Sequence, residues 1–184
     1  MHRGSRRVAD VCPMRRHASV CRGLLALAAA LASAAPAVGA QAGSPTIGDL
    51  APAPVVHDLD GKPVDLGAWI GRKPVFLEFW ATWCTSCAAL MPAVREAHAR
   101  YGNQVEFVGI NVTVGETPAR VREYLARHQP PFRTLYDDEG ESQRAYEVPA
   151  TSYVVIIDRQ GRIVYTGAGG TQRFDEALKR VTAG

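Results

Sequence analysis

Pro74-Val75-Phe76-Leu77-Glu78-Phe79-Trp80-Ala81-Thr82-Trp83-Cys84-Thr85-Ser86-Cys87 encloses a strand, a turn and the start of a helix. Residues 74–80 are an almost unbroken apolar and aromatic run, the composition of a strand buried on both faces. One ionisable residue, Glu78, interrupts it. After Cys84 the period changes: Ala88, Leu90, Met91, Val94, Ala97 and His98 recur at helical spacing up to Tyr101-Gly102, where a glycine stops the helix.

The same alternation continues outward. Val105 to Asn111 reads as a second strand, and Thr117-Pro118 supplies an N-cap with proline at the first helical position, opening a helix to about His128. A strand-helix-strand crossover is expected. Pro130-Pro131 ends that helix, Phe132 to Tyr136 forms a short extended piece, and Asp137-Asp138-Glu139-Gly140 turns into a short helix near Ser142 to Tyr146. Tyr153 to Ile157 and Arg162 to Thr166, joined by Asp158-Arg159-Gln160-Gly161, form a hairpin, and a helix from Arg173 to about Val181 closes the chain. On the N-terminal side, Val55-Val56-His57 and Lys62-Pro63-Val64 flank Leu59-Asp60-Gly61, a tight-turn signal, so the domain opens with a small hairpin. The expected fold is α/β, a mixed sheet covered on both faces.

Residues 1–40 read differently. Arg15, Arg16 and Arg22 precede an apolar run from Leu24 to Ala35, and small residues end at Val38-Gly39-Ala40, the layout of a secretory signal cleaved after Ala40. The run is shorter than the ~20 residues that span a bilayer; an uncleaved anchor would need the segment stretched to Ala40. Cys12 and Cys21 then belong to the presequence, and Cys21 lies ahead of the apolar run, badly placed for lipid attachment at a cleavage site. Residues 41–184 form one domain with 15 basic and 17 acidic residues. A formal charge of −2 carries no electrostatic footprint for nucleic acid, and that partner class is set aside.

Two cysteines remain in the exported domain, Cys84 and Cys87, in a compartment where disulfides persist. A bridge over so short a loop restricts the unfolded chain very little, so the pair reads as reactive rather than structural. A helix N-terminus favours the thiolate through its unsatisfied N–H groups and dipole, and Cys84 stands there. Cys87, one turn deeper, can reach the same sulfur. This makes Cys84 the nucleophile and Cys87 the resolving thiol. Half of a zinc site is the competing reading, but His57, His98 and His128 are scattered and there is no second cysteine pair; no resident metal or other cofactor is expected.

Glu78 to Cys87, with Pro92 five residues further on, resembles the active-site segment of thioredoxins. The front hairpin, the inserted helix with His128-Gln129-Pro130-Pro131-Phe132, and Ile157 to Ile163 narrow the resemblance to the exported TlpA/ResA-like branch, over roughly residues 45 to 182. It implies a thioredoxin-like sheet with an N-terminal β-hairpin and a central helical insert. It also implies a periplasmic or extracytoplasmic reductant of protein disulfides. Its clients would be apocytochrome c or a protein with metal-site cysteines, and its electrons would come from a membrane thiol-transfer protein. Glu78 matches the buried carboxylate beneath the thioredoxin disulfide; in an apolar run its pKa should rise, and it could take a proton from Cys87. Trp80 reads as packing, and Trp83, beside the nucleophile, as a surface for a partner.

The family's cis-proline step before the last core strands has two candidates here. Pro149, in Val148-Pro149-Ala150-Thr151, has the right local look, whereas counting back from Asp158 puts Ser152 at the expected position. Pro149 is the preferred equivalent, and both are candidate substrate-binding residues. Thr85-Ser86 between the cysteines does not set the direction of the reaction, so a disulfide oxidant or isomerase stays open. So does a copper chaperone using the same pair, which would need a third ligand. A peroxiredoxin would need a Thr where Ala81 stands and a distant resolving thiol. An inactive scaffold keeping a relic of the motif is the remaining alternative.

Overall fold

A computed structural model of the protein describes residues 44–183. The leader reading, with Cys12 and Cys21, lies outside those residues. The described chain builds a seven-stranded mixed sheet in the order β2-β1-β5-β4-β3-β6-β7. The opening hairpin is β1 (Val55–His57) with β2 (Pro63–Asp65). The run that decides the fold is β3 (Val75–Trp80), all six residues of which are buried. It pairs in parallel with β4 (Glu106–Asn111) on one side and antiparallel with β6 (Tyr153–Ile157) on the other. Residues buried on both faces explain why its sequence does not alternate. An antiparallel edge strand, β7 (Ile163–Ala168), follows β6.

Helix α1 (Thr85–Tyr101) connects β3 to β4. Helix α2 (Pro118–His128) starts where Thr117 and Pro118 predict, with the Thr117 hydroxyl accepting from Arg120 N–H at 3.2 Å. It ends on Gln129 in the left-handed region at φ 44°. The extended piece after it is β5 (Arg133–Tyr136), which pairs in parallel with β4 and antiparallel with β1. A second crossover, β4-α2-β5, therefore docks the front hairpin onto the core sheet. A four-residue strand is too short to announce that pairing by periodicity. Helices α3 (Glu141–Ala145) and α4 (Asp175–Thr182) complete the chain.

Two apolar clusters sandwich the sheet. Phe76, Phe107, Val154 and Ile156 meet Leu90 and Val94 of α1 and Leu178 of α4. Phe76 is stacked on Phe107 at 4.8 Å and meets Phe174 edge-on at 5.2 Å. Val75, Leu77 and Phe79, one residue out of phase, belong to the other cluster with Leu66 and Tyr146, which wraps round the strand ends to take in Cys84 and Cys87.

Candidate active site

Cys84 is the N-cap residue of α1: its backbone is extended (φ −79°, ψ 104°) and its sulfur accepts from Cys87 N–H at 3.0 Å. A cysteine can fill that role because cap geometry needs only an acceptor reaching back to the first turn. Cys84 and Cys87 form a disulfide and are 5% and 2% exposed. The Cys87 N–H of the first turn thus points at the Cys84 sulfur, where it would stabilise negative charge when the bond opens.

Glu78 lies fully buried in the middle of β3, between Gly109 on β4 and Val154 on β6. It shares a sheet face with Phe76 and Trp80. Neither carboxyl oxygen has a hydrogen-bond partner among the described residues, and burial alone pushes the carboxyl up to about 8. With a paired strand on each side, Glu78 is not at a solvent-facing edge of the sheet. Gly109 matters here: a Cβ at that residue would overlap the ring of Phe132, so the missing side chain lets an aromatic ring lie beside the carboxylate. Trp80 packs at 5.2 Å from Tyr124 and 5.8 Å from Phe132. Thr134, in one row with Glu78 and Gly109, is partly buried, and its hydroxyl is sealed from solvent and likewise unpartnered.

The turn leading to Cys84 is held by a residue the sequence did not single out. Glu116, 9% exposed, accepts from Thr82 N–H and from Thr82 Oγ1 at 3.0 Å, and from Asn111 Nδ2 at 3.4 Å. Glu116 and Thr82 are 34 residues apart, and no motif links them. Trp83 is half exposed, with its indole N–H donating to Val114 C=O at 2.7 Å. The loop after β4 therefore clamps both residues ahead of the nucleophile.

A groove of about 620 Å³ opens beside Cys84 between α1 and α2, lined by Trp83, Met91, Arg95, Tyr124, Arg127 and His128 among others. Neither Pro149 nor Ser152 lines it. Pro149 is exposed on the loop before β6. Ser152 is buried at the mouth of β6 with φ 62°, its N–H donating to Phe79 C=O at 2.8 Å and its hydroxyl to Gly169 C=O at 3.0 Å. Gln172 Nε2 donates to Ser152 C=O at 2.9 Å. Among the described residues no group of three or more Cys, His, Asp or Glu is arranged to hold a metal ion, and no helix is long and apolar enough to cross a membrane.

With this geometry in place, comparison with known proteins is specific. The Redoxin family matches residues 46–180. The thiol-disulfide oxidoreductase ResA of Bacillus thuringiensis subsp. konkukian (strain 97-27) is 32% identical over 126 residues, covering 67% of this chain and 71% of the relative. A crystal structure assigned to a thiol:disulfide interchange protein DsbE from Chlorobium tepidum superposes with a TM-score of 0.64 at 27% identity, over 76% of this chain and 97% of that one. A secreted Mycobacterium tuberculosis disulfide oxidoreductase homologous to E. coli DsbE gives a TM-score of 0.56 at 27% identity, over 70% and 94%.

Proposed function

The chain belongs to the Redoxin family, in the ResA-like branch of the thioredoxin superfamily, and is a thiol-disulfide oxidoreductase; from that premise we propose that it works outside the cytosol as a reductant of protein disulfides. The observation that carries the reading is the Cys84–Cys87 disulfide at the start of α1, on a fold whose neighbouring core strand holds an unpartnered carboxyl at about 8.

In the reduced protein, Cys84 thiolate attacks one sulfur of a client disulfide. A Cys84–client mixed disulfide forms, and the client's other sulfur leaves as a thiolate that takes up a proton. Cys87 then gives its proton to ionised Glu78 and attacks Cys84 Sγ. This closes the Cys84–Cys87 bond and releases the second client thiol, so two electrons pass from the dithiol to the client. A carboxyl raised to about 8 is a far better acceptor for a thiol proton than an ordinary carboxylate, the condition for efficient proton transfer near neutral pH. An external dithiol, which we assign to a membrane thiol-transfer protein, restores Cys84 and Cys87. Trp83, exposed at the groove, is the proposed client contact. We place the exposed loop around Pro149, anchored by buried Ser152 where it enters β6 against Phe79, at the partner-binding edge. Export is supported by the leader-like residues 1–40 and by the secreted relative, and N-terminal sequencing of the exported protein should begin at Gln41.

The reduction potential of the pair tests the direction. The purified protein is equilibrated in glutathione or dithiothreitol buffers and its free thiols are counted. A potential near thioredoxin's, about −270 mV, or below it is expected; one near DsbA's, about −120 mV, would make the protein an oxidant instead. Failure to form the disulfide, with tight copper binding, would replace the redox reading by the chaperone one.

A further inference from the structure

Beside Cys84, α1 contributes Arg95 and α2 contributes Arg127 and His128 to the groove, and no Asp or Glu lines it. This local excess of positive charge stands against the net −2 of residues 41–184. Several cations elsewhere are matched to carboxylates: Arg100 to Glu96 and Asp175, Arg122 to Asp60, Arg144 to Glu141, Lys73 and Arg133 to Glu106. Arg95, which faces the groove, is not among them. Its guanidinium donates to His128 C=O across the groove and has no carboxylate within ion-pair distance among the described residues. That bond leaves further guanidinium N–H donors free for a ligand. Arg127 reaches Glu123 only at 3.6 Å, with both side chains mostly exposed, a pair weak enough to exchange for a better acceptor. Met91, Pro92 and Pro130 supply apolar surface between the charges.

We propose that this groove selects clients whose cystine lies in an acidic segment, with Asp or Glu side chains seated on Arg95 and Arg127 while the disulfide meets Cys84. The proposal rests on the disulfide-reducing reading above and names the client chemistry for that same site. A carboxylate matches the planar guanidinium fork, and a basic segment would meet two guanidinium groups at close range. Steering of this kind acts on the encounter rate and fades with salt.

The test uses two synthetic peptides with the same intramolecular cystine loop, one flanked by glutamates and the other by lysines, offered to the fully reduced protein. The ratio of their reduction rates is the readout, because any common change in Cys84 reactivity cancels in it. The Glu-flanked peptide should be reduced about tenfold faster at low ionic strength, the ratio should fall toward one at high salt, and it should invert in Arg95→Glu/Arg127→Glu. A ratio of one or less in the unmutated protein, or a ratio that survives both salt and the double substitution, overturns the proposal. Reduction of neither peptide by the unmutated protein overturns the disulfide-reducing reading and this one with it. If the double variant fails to fold, the salt dependence of the unmutated ratio still decides.

Discussion

Glu78 and Asp137 are both carboxylates sealed from solvent, at 0% and 1% exposure. Their surroundings are opposite. Asp137 sits at the start of the turn before α3 and accepts from Ser142 N–H at 3.2 Å, Ser142 Oγ at 2.7 Å, Gln143 N–H at 2.9 Å and Gln143 Nε2 at 3.2 Å. Glu78 has apolar and aromatic neighbours and no donor at all among the described residues. Donors aimed at a carboxylate satisfy its oxygens, whereas burial without donors leaves it proton-loving. Burial alone therefore does not set Glu78 apart from Asp137; the absence of donors does.

The largest test of this contrast is the pH dependence of stability. The folded carboxyl of Glu78 near 8 lies above its ordinary value of about 4.5. The folded state holds the proton where the unfolded state has lost it, so stability falls as pH rises from about 4.5 to about 8 and levels off above. The oxidised protein should lose up to about 5 kcal/mol over that window, and Glu78→Gln should remove the slope. A denaturant series at several pH values that shows the same slope in Glu78→Gln would place the cause elsewhere. Asp137→Ala comes next. It strands buried donors and should destabilise the protein by about 2–4 kcal/mol, while leaving the pH profile of disulfide reduction unchanged.

On the rate, Glu78→Gln should slow resolution of a trapped Cys84–client mixed disulfide by about 10²-fold at neutral pH and abolish the limb that rises as pH passes about 8. An unchanged rate in stopped-flow resolution removes Glu78 from the mechanism. The smallest effect expected is that of Glu116→Gln. Its carboxylate has donors like Asp137 but holds the active-site turn through Thr82, so the loss should be about 1 kcal/mol, read by thermal unfolding, with the inflection near 8 preserved.

What the sequence disclosed follows from the range of each interaction. The N-cap role of Cys84 and the reach of Cys87 depend on neighbours three residues apart, and the burial of Glu78 follows from the apolar run that contains it; all of this is written locally. Helix α2 announced itself through Thr117-Pro118. By contrast, Glu116 acquires its role only when β4 brings the 113–117 loop against Thr82, and the basic groove only when α1 and α2 lie side by side. The pairing of β5 with β4 and β1 was hidden for a related reason, since Arg133–Tyr136 is too short to carry a pattern. Counting from Asp158 points to Ser152 and the Val148-Pro149 step to Pro149, and the sequence does not carry what distinguishes them in space, burial at φ 62° for one and exposure for the other.

The ring of Phe132 over Gly109 has a consequence for how such an enzyme diversifies. Electron transfer is encoded in residues 84–87, but the dryness that sets the proton affinity of Glu78 is encoded partly at residue 109 and in the insert that carries Phe132. The two traits occupy separate stretches of chain and can change independently. A lineage could retune its working pH by altering the aromatic wall and leave every residue of the cysteine motif untouched.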